Sequence, residues 1–64
     1  MKRADLERHL RKNGCEVKRE GGKHCFWWHP ESKLTASVPR HNEIKNWTAI
    51  GICQGLKIPP PEKY

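Results

Sequence analysis

Residues 15–29, CEVKREGGKHCFWWH, contain the pattern that decides the fold. Apolar and charged side chains alternate in CEVKRE, and this period of two is typical of a strand. Gly21 and Gly22 follow, and a glycine pair favours a hairpin turn because both turn residues can require positive φ. The aromatic segment KHCFWWH then supplies the returning strand.

A helix is predicted on each side of the hairpin. The segment KRADLERHLRKN places Leu6 and Leu10 four residues apart among polar residues, which indicates an amphipathic helix. Gly14 is expected to end that helix in the left-handed conformation. A second helix is predicted over residues 47–56, with Asn46 as its N-cap.

A third strand, LTASV, completes an α-β-β-β-α order. The two-layer arrangement for this order is a three-stranded antiparallel sheet with both helices on one face. The other face is then open to water or to a partner. We therefore expect an α+β fold with a single domain over residues 1–58 and a Pro-rich tail over residues 59–64.

The charge of the chain favours a polyanionic partner. Thirteen Lys and Arg residues stand against seven Asp and Glu residues, which gives a net charge of +6 in a chain of 64 residues. Nucleic acid is the first candidate for such a basic domain, with an acidic protein surface or an anionic membrane second. A chain this short has a small core, so we expect a partner to lie across its surface.

The cysteines and histidines indicate neither a disulfide framework nor a metal site. Cys15, Cys25 and Cys53 are an odd number, and C-x-x-C spacing is absent, which suits a reducing compartment. Structural zinc sites usually show paired ligand spacing, so no metal or other cofactor is expected. No apolar run is long enough to cross a membrane and no secretory segment is seen, so a cytoplasmic protein is expected.

His24 is the candidate catalytic residue. Its imidazole can exchange a proton near neutral pH, and RNA offers a 2′-hydroxyl that can attack its own adjacent phosphate once deprotonated. Gly22 allows close approach of a phosphate backbone, and Lys23 adds a positive charge. A histidine that is simply tolerated at the start of a strand is the alternative interpretation.

Basic residues around the hairpins form a candidate phosphate-binding rim. Pro39 fixes the exit of the third strand and aims the two residues that follow it. The alternative for most of these side chains is a solvated charged surface. The candidate RNA-binding residues are Lys18, Arg19, Gly22, Lys23, Lys33, Arg40 and His41.

The run Phe26, Trp27, Trp28 places at least one tryptophan away from the helices, because neighbouring strand residues point to opposite faces. Core packing is predicted for Phe26 or Trp27. An exposed tryptophan beside lysines could stack a base, or it could pack at the edge of the sheet.

Several short motifs occur together in a defined order. The L-x-x-x-L of the first helix is followed by N-G-C at residues 13–15, and by G-x-H with aromatic residues after it at residues 22–24. H-P at residues 29–30, V-P-R-H-x-E-I-K at residues 38–45 and L-x-I-P at residues 56–59 complete the series. In this order the chain resembles the HicA family of bacterial toxin mRNA interferases over nearly its whole length.

This resemblance implies a fold like that of double-stranded-RNA-binding domains. It also implies metal-independent cleavage of mRNA by the histidine of the G-x-H motif, which is His24 here. A further implication is a HicB-type antitoxin that binds the toxin and masks its active site. Lys23 stands where many members carry a small or polar residue.

Two other functions remain open from the sequence. A non-catalytic RNA-binding module of the same fold would read duplex shape and would tolerate loss of His24. A pure interaction protein would use its basic surface for an acidic antitoxin. Within the nuclease hypothesis, Lys23, Arg40 and His41 are the candidates for stabilising the transition state or protonating the leaving group.

Overall fold

The computed structural model describes residues 1–61, which form two helices and three strands. The strands make one antiparallel sheet, in which strands that follow each other along the chain are neighbours. This architecture confirms the predicted α-β-β-β-α fold class. The elements are α1 (Arg3–Lys12), β1 (Glu16–Glu20), β2 (His24–His29), β3 (Leu34–Pro39) and α2 (Asn46–Gly55).

The hydrophobic core lies between the helices and one face of the sheet. Trp27 of β2 lies at the centre of this core and is 1% exposed. The Arg11 guanidinium of α1 lies 5.0 Å from the centroid of the Trp27 ring. The opposite sheet face is covered by no other element among residues 1–61, and we call it the open face. The buried apolar residues are Leu6, Leu10, Cys15, Cys25, Trp27, Val38, Ile44, Ala49, Ile52, Cys53, Leu56 and Ile58.

Helix α1 ends in a Schellman motif. Gly14 has φ +85°, and its N–H donates to the Arg11 carbonyl at 3.0 Å. The Cys15 N–H donates to the Leu10 carbonyl at 2.9 Å, so two otherwise unpaired carbonyls at the helix end are satisfied. The prediction that Gly14 ends this helix in the left-handed conformation is confirmed.

Helix α2 ends in the same motif but without a glycine. Lys57 takes the left-handed position with φ 54°, and its N–H donates to the Gln54 carbonyl at 3.1 Å. The Ile58 N–H donates to the Cys53 carbonyl at 3.0 Å. A side chain other than glycine or asparagine is strained in this conformation, so a lysine at position 57 does not indicate the end of a helix.

The start of α2 differs from the prediction. Asn46 is the first helical residue, and Lys45 takes the N-cap position without a side-chain hydrogen bond to the helix. The preceding segment is held in extended form by the N-terminus, because the Ile44 N–H donates to the Met1 carbonyl at 2.7 Å. An isolated bridge also pairs residues 2 and 43. The prediction of Asn46 as N-cap is therefore wrong by one residue.

The first residues of the predicted tail pack against α1. Pro61 is buried, and the His9 Nε2 donates to the Pro59 carbonyl at 2.8 Å. Residues 62–64 of the predicted tail lie outside the described residues. No helix found within residues 1–61 is both long enough and apolar enough to cross a bilayer.

Candidate functional site

The loop between β1 and β2 is closed by a short hydrogen bond. The Gly21 N–H donates to the His24 carbonyl at 2.8 Å. A Cβ atom at Gly21 would lie 3.0 Å from that same carbonyl oxygen and 3.4 Å from Cε2 of Phe26, whereas a Cβ at Gly22 would meet nothing within 4 Å. Glycine is therefore favoured at position 21, because any larger residue would crowd the His24 carbonyl.

The expectation of positive φ in this turn is not met. Gly14 is the one glycine with positive φ, so neither Gly21 nor Gly22 adopts the left-handed conformation. Three residues separate the two strands. The turn is closed by the hydrogen bond between Gly21 and the His24 carbonyl, and it contains no pair of left-handed residues. The sequence signal gave the position of the turn correctly and its conformation wrongly.

His24 lies on the open face of the sheet, at the first position of β2. Its side chain is exposed, while the next residue, Cys25, is buried in the core. Since strand residues alternate between faces, His24 shares the open face with Phe26 and Trp28. This placement leaves the imidazole accessible to a polynucleotide.

The His24 ring is also uncommitted to other side chains. The histidine ring hydrogen bonds found within residues 1–61 all belong to His9. No side chain within residues 1–61 therefore occupies either nitrogen of the His24 imidazole, and both can bind a ligand.

Arg40 is fixed at the same corner of the sheet. Pro39 lies opposite His24 in the ladder between β2 and β3, so the next residue emerges beside the hairpin loop. The Arg40 N–H donates to the Lys23 carbonyl at 3.3 Å, and its Nη1 donates to the Gly21 carbonyl at 2.9 Å. The end of β3 thus aims Arg40 at the His24 corner. Gly22, Lys23 and Arg40 are the predicted site residues that the structure brings to His24.

The aromatic run divides between the two faces. Trp27 fills the core, which confirms the prediction that either Phe26 or Trp27 would, and Phe26 lies half-buried on the open face. Trp28 is the tryptophan that leaves the helix-covered side. Phe26 and Trp28 face Ser37 and Thr35, respectively, across the ladder with β3.

Two cations of β1 lie over these rings. The register of β1 shifts between Val17 and Arg19, and this bulge leaves Lys18 without a partner on β2. As a result, both cations reach the open face: the Arg19 Cζ lies 4.8 Å from the Phe26 ring centroid, and the Lys18 Nζ lies 5.0 Å from the Trp28 ring centroid. Strict alternation would have placed them on opposite faces.

Two predicted RNA-binding residues lie elsewhere. Lys33 is in the turn between β2 and β3, and its N–H donates to the His29 carbonyl at the other end of β2 from His24. His24 and His29 are about 17 Å apart along β2, since an antiparallel strand rises roughly 3.4 Å per residue. His41 is exposed and lines a cavity with Lys45 and Thr48, next to the start of α2.

Within residues 1–61, no cation of the open face forms an ion pair with an acidic side chain. The ion pairs seen in residues 1–61 all involve α1 or the N-terminus, namely Met1 with Glu43, Arg3 with Glu7, and Arg8 with Asp5. In the same residues, no group of three or more His, Cys, Asp or Glu side chains is arranged to hold a metal ion.

Comparison with known proteins identifies the family. Residues 3–58 match the family described as the HicA toxin of bacterial toxin-antitoxin systems, which is most of the chain. Neither the curated proteins nor the solved structures gave a significant match. The match covers both helices, all three strands and the His24 corner. The chain belongs to the HicA family of toxins from bacterial toxin–antitoxin systems.

Proposed function

We propose that the chain is an endoribonuclease that cleaves mRNA, with His24 as the catalytic general base. The observation that supports this most strongly is the exposed His24 imidazole on the open face, with Arg40 held at the same corner by its hydrogen bond to Gly21. A toxin with this activity acts where mRNA is translated, so the proposal places it in the cytoplasm.

The proposed reaction is the attack of a ribose 2′-oxygen on its adjacent phosphodiester, and it needs one proton acceptor. The neutral His24 imidazole accepts the proton of a ribose 2′-hydroxyl, and that oxygen forms a bond to the adjacent phosphorus. The bond from phosphorus to the 5′-oxygen breaks, and the 5′-oxygen takes up a proton that the imidazolium can return. The products are a 2′,3′-cyclic phosphate and a 5′-hydroxyl, and no metal ion is required.

Positive charge at the His24 corner suits the phosphate that reacts. Arg40 uses one N–H for the Gly21 carbonyl, and a guanidinium has further donors for the oxygens of the phosphorane. Lys23 is exposed in the adjacent loop and adds charge, and Gly22 lets the RNA backbone approach. His41 lies next to the start of α2 rather than at this corner, so we assign it to binding the RNA backbone and leave protonation of the 5′-oxygen to the His24 imidazolium.

The other basic residues serve to hold the RNA backbone. Lys18 and Arg19 are exposed on the open face and contact phosphates on the path toward His24. Lys33 contacts the backbone farther along, at the opposite end of the sheet. Contacts of this kind position RNA without reading its sequence.

A toxin of a toxin–antitoxin pair has an antitoxin as its partner. We propose that a HicB-type antitoxin covers the His24 corner and thereby excludes RNA from the imidazole. The cations of the open face offer an acidic antitoxin complementary charge.

The test compares the wild-type chain with His24→Ala on the same RNA. We expect wild type to degrade RNA in the presence of EDTA, and His24→Ala to bind RNA without degrading it. Lys12→Ala, on an exposed position of α1, is the control and should degrade RNA normally. Equal degradation by His24→Ala would remove His24 from the mechanism, and binding without degradation by wild type would favour a non-catalytic RNA-binding module.

A further inference from the structure

Three side chains of β2 form a row on the open face. His24, Phe26 and Trp28 occupy alternate positions, while Cys25 and Trp27 between them are buried in the core. The two rings of this row are half-buried and contribute to the surface on the side away from both helices. Aromatic rings placed beside a proposed catalytic residue, rather than in the core, point to a ligand with flat apolar parts.

A cation of β1 lies over each ring of the row. The Arg19 guanidinium lies 4.8 Å from the Phe26 centroid and the Lys18 ammonium 5.0 Å from the Trp28 centroid. Such contacts at exposed sites are weak, and they are weaker than the stacking of a base on the same ring. Both cations belong to long, exposed side chains that can turn from the ring to a phosphate.

Each ring is bordered by a hydroxyl of β3. Ser37 is the β3 partner of Phe26, and Thr35 is the β3 partner of Trp28. Both hydroxyl side chains are exposed, and each can donate and accept hydrogen bonds. The open face therefore carries the same three groups, a cation, a ring and a hydroxyl, twice along β2. Phosphate, base and ribose offer matching groups.

We propose that the open face binds single-stranded RNA, with successive bases stacked on Phe26 and Trp28 and the cleaved linkage at His24. The proposal rests on the proposed ribonuclease function and adds the form of its substrate. Side chains two residues apart on a strand are separated by about 6.8 Å. That is roughly twice the spacing of stacked bases in a duplex, so the bases must be unstacked.

A duplex does not fit this row. Bases of an RNA duplex are stacked on each other, and duplexes are recognised through phosphates and 2′-hydroxyls, which make no use of aromatic rings. An open sheet face with exposed aromatic residues is, in contrast, a common way of binding unpaired RNA bases. Glu16, the β1 partner of Trp28, is an acidic group beside the second ring and would repel a phosphate placed on its own side of that ring.

The experiment uses a fluorescently labelled single-stranded RNA of about 12 nucleotides and the same sequence annealed to its complement. Binding is measured by anisotropy on the full chain carrying His24→Ala, so that the RNA stays intact. Phe26→Leu and Trp28→Leu keep an apolar side chain but remove the ring. We expect each to weaken single-strand binding roughly tenfold. Phe26→Tyr and Trp28→Phe should restore it.

The exposed tryptophan of α2 is the matched control. Trp47 is 71% exposed, and Lys45 lies 5.7 Å from its ring centroid, so it carries the same pair of groups on another element. We expect Trp47→Leu to leave RNA binding unchanged. A second measurement leaves both rings of the row in place: in a chain carrying His24→Ala and Trp47→Phe, single-stranded RNA should quench the fluorescence of Trp28, because Trp27 is buried.

The outcomes separate this proposal from the ribonuclease function. Equal binding of duplex, unchanged binding by both leucine variants, or no quenching of Trp28 overturns the stacking platform even if RNA is still cleaved. Quenching and ring-dependent binding without cleavage by the wild-type chain would support the platform and contradict the nuclease. If the face is covered by an antitoxin but binds neither form of RNA, the platform is also overturned.

Discussion

The Arg40 guanidinium donates a hydrogen bond to the Gly21 carbonyl at 2.9 Å, which joins the end of β3 to the loop that precedes His24. Both residues therefore contribute to the geometry of one corner, although they are far apart in the sequence. The bond lies at the surface, so its contribution to the free energy of unfolding is small compared with its effect on where the guanidinium points.

Arg40→Ala should reduce catalysis far more than stability. We expect the single-turnover cleavage rate to fall roughly 10²–10³-fold, as for the loss of one donor to a transition-state oxyanion. The free energy of unfolding should fall by less than about 1 kcal/mol, because one exposed hydrogen bond is lost. Arg40→Lys keeps the charge and should recover only part of the rate. A large loss of stability, or an unchanged rate, would assign Arg40 a structural role.

Gly21→Ala and Gly22→Ala should differ sharply. A Cβ at position 21 meets the His24 carbonyl at 3.0 Å, so we expect a destabilisation of about 1–3 kcal/mol, as for an overpacked site. A Cβ at position 22 meets nothing within 4 Å, so the folded state should be unaffected. Chemical denaturation of both variants measures the difference. Equal effects on stability would show that the close return of the chain is not what requires glycine.

The two helix ends give a matched pair of stability changes. Lys57→Gly should stabilise the chain by about 1 kcal/mol, because glycine relieves the left-handed strain at φ 54°. A change of that size raises Tm by roughly 4–8 °C in a domain of this size. Gly14→Ala should have the opposite sign, since φ is +85° and a Cβ would lie 3.3 Å from Nε2 of His29. Thermal unfolding of both variants measures these changes. A lower Tm for Lys57→Gly would contradict the assignment of strain to Lys57.

Lys18→Ala and Arg19→Ala should lower the salt dependence of RNA binding. Each cation that contacts a phosphate of a single strand contributes about 0.7 to the slope of log K against log salt concentration. We therefore expect each variant to reduce the slope by that amount, measured by anisotropy in the His24→Ala background. Lys12→Ala, on the exposed side of α1, should leave the slope unchanged. An unchanged slope in the β1 variants would place the phosphates elsewhere.

The sequence was sufficient for the layout of the fold because its signals were local. Alternation in β2 required the two tryptophans to separate, and Gly14 marked the end of α1. The resemblance to the HicA family was likewise readable from ordered motifs, and the family match over residues 3–58 confirms it. Element order and family therefore came from patterns that need no tertiary contacts.

Other features depended on contacts between distant residues and could not be predicted. The bulge at Lys18 has no composition signal, yet it decides that both cations of β1 lie on the open face. The start of α2 is set by the hydrogen bonds exchanged between Ile44 and Met1, and the direction of Arg40 by the pairing of Pro39 with His24. The sequence around these residues is compatible with several positions of the bulge, the helix start and the Arg40 side chain. Contacts in the folded chain determine which of them is adopted.

The proposed mechanism requires His24 to remove the proton of a 2′-hydroxyl next to the cleaved phosphate. Its most direct test uses a DNA strand carrying a single ribonucleotide, with the products analysed by mass spectrometry. We predict that the wild-type chain cuts only after the ribonucleotide, leaving a 2′,3′-cyclic phosphate, and that His24→Ala leaves the strand intact. Cleavage at deoxynucleotides, or a 2′,3′-cyclic phosphate product formed equally well by His24→Ala, would contradict the account.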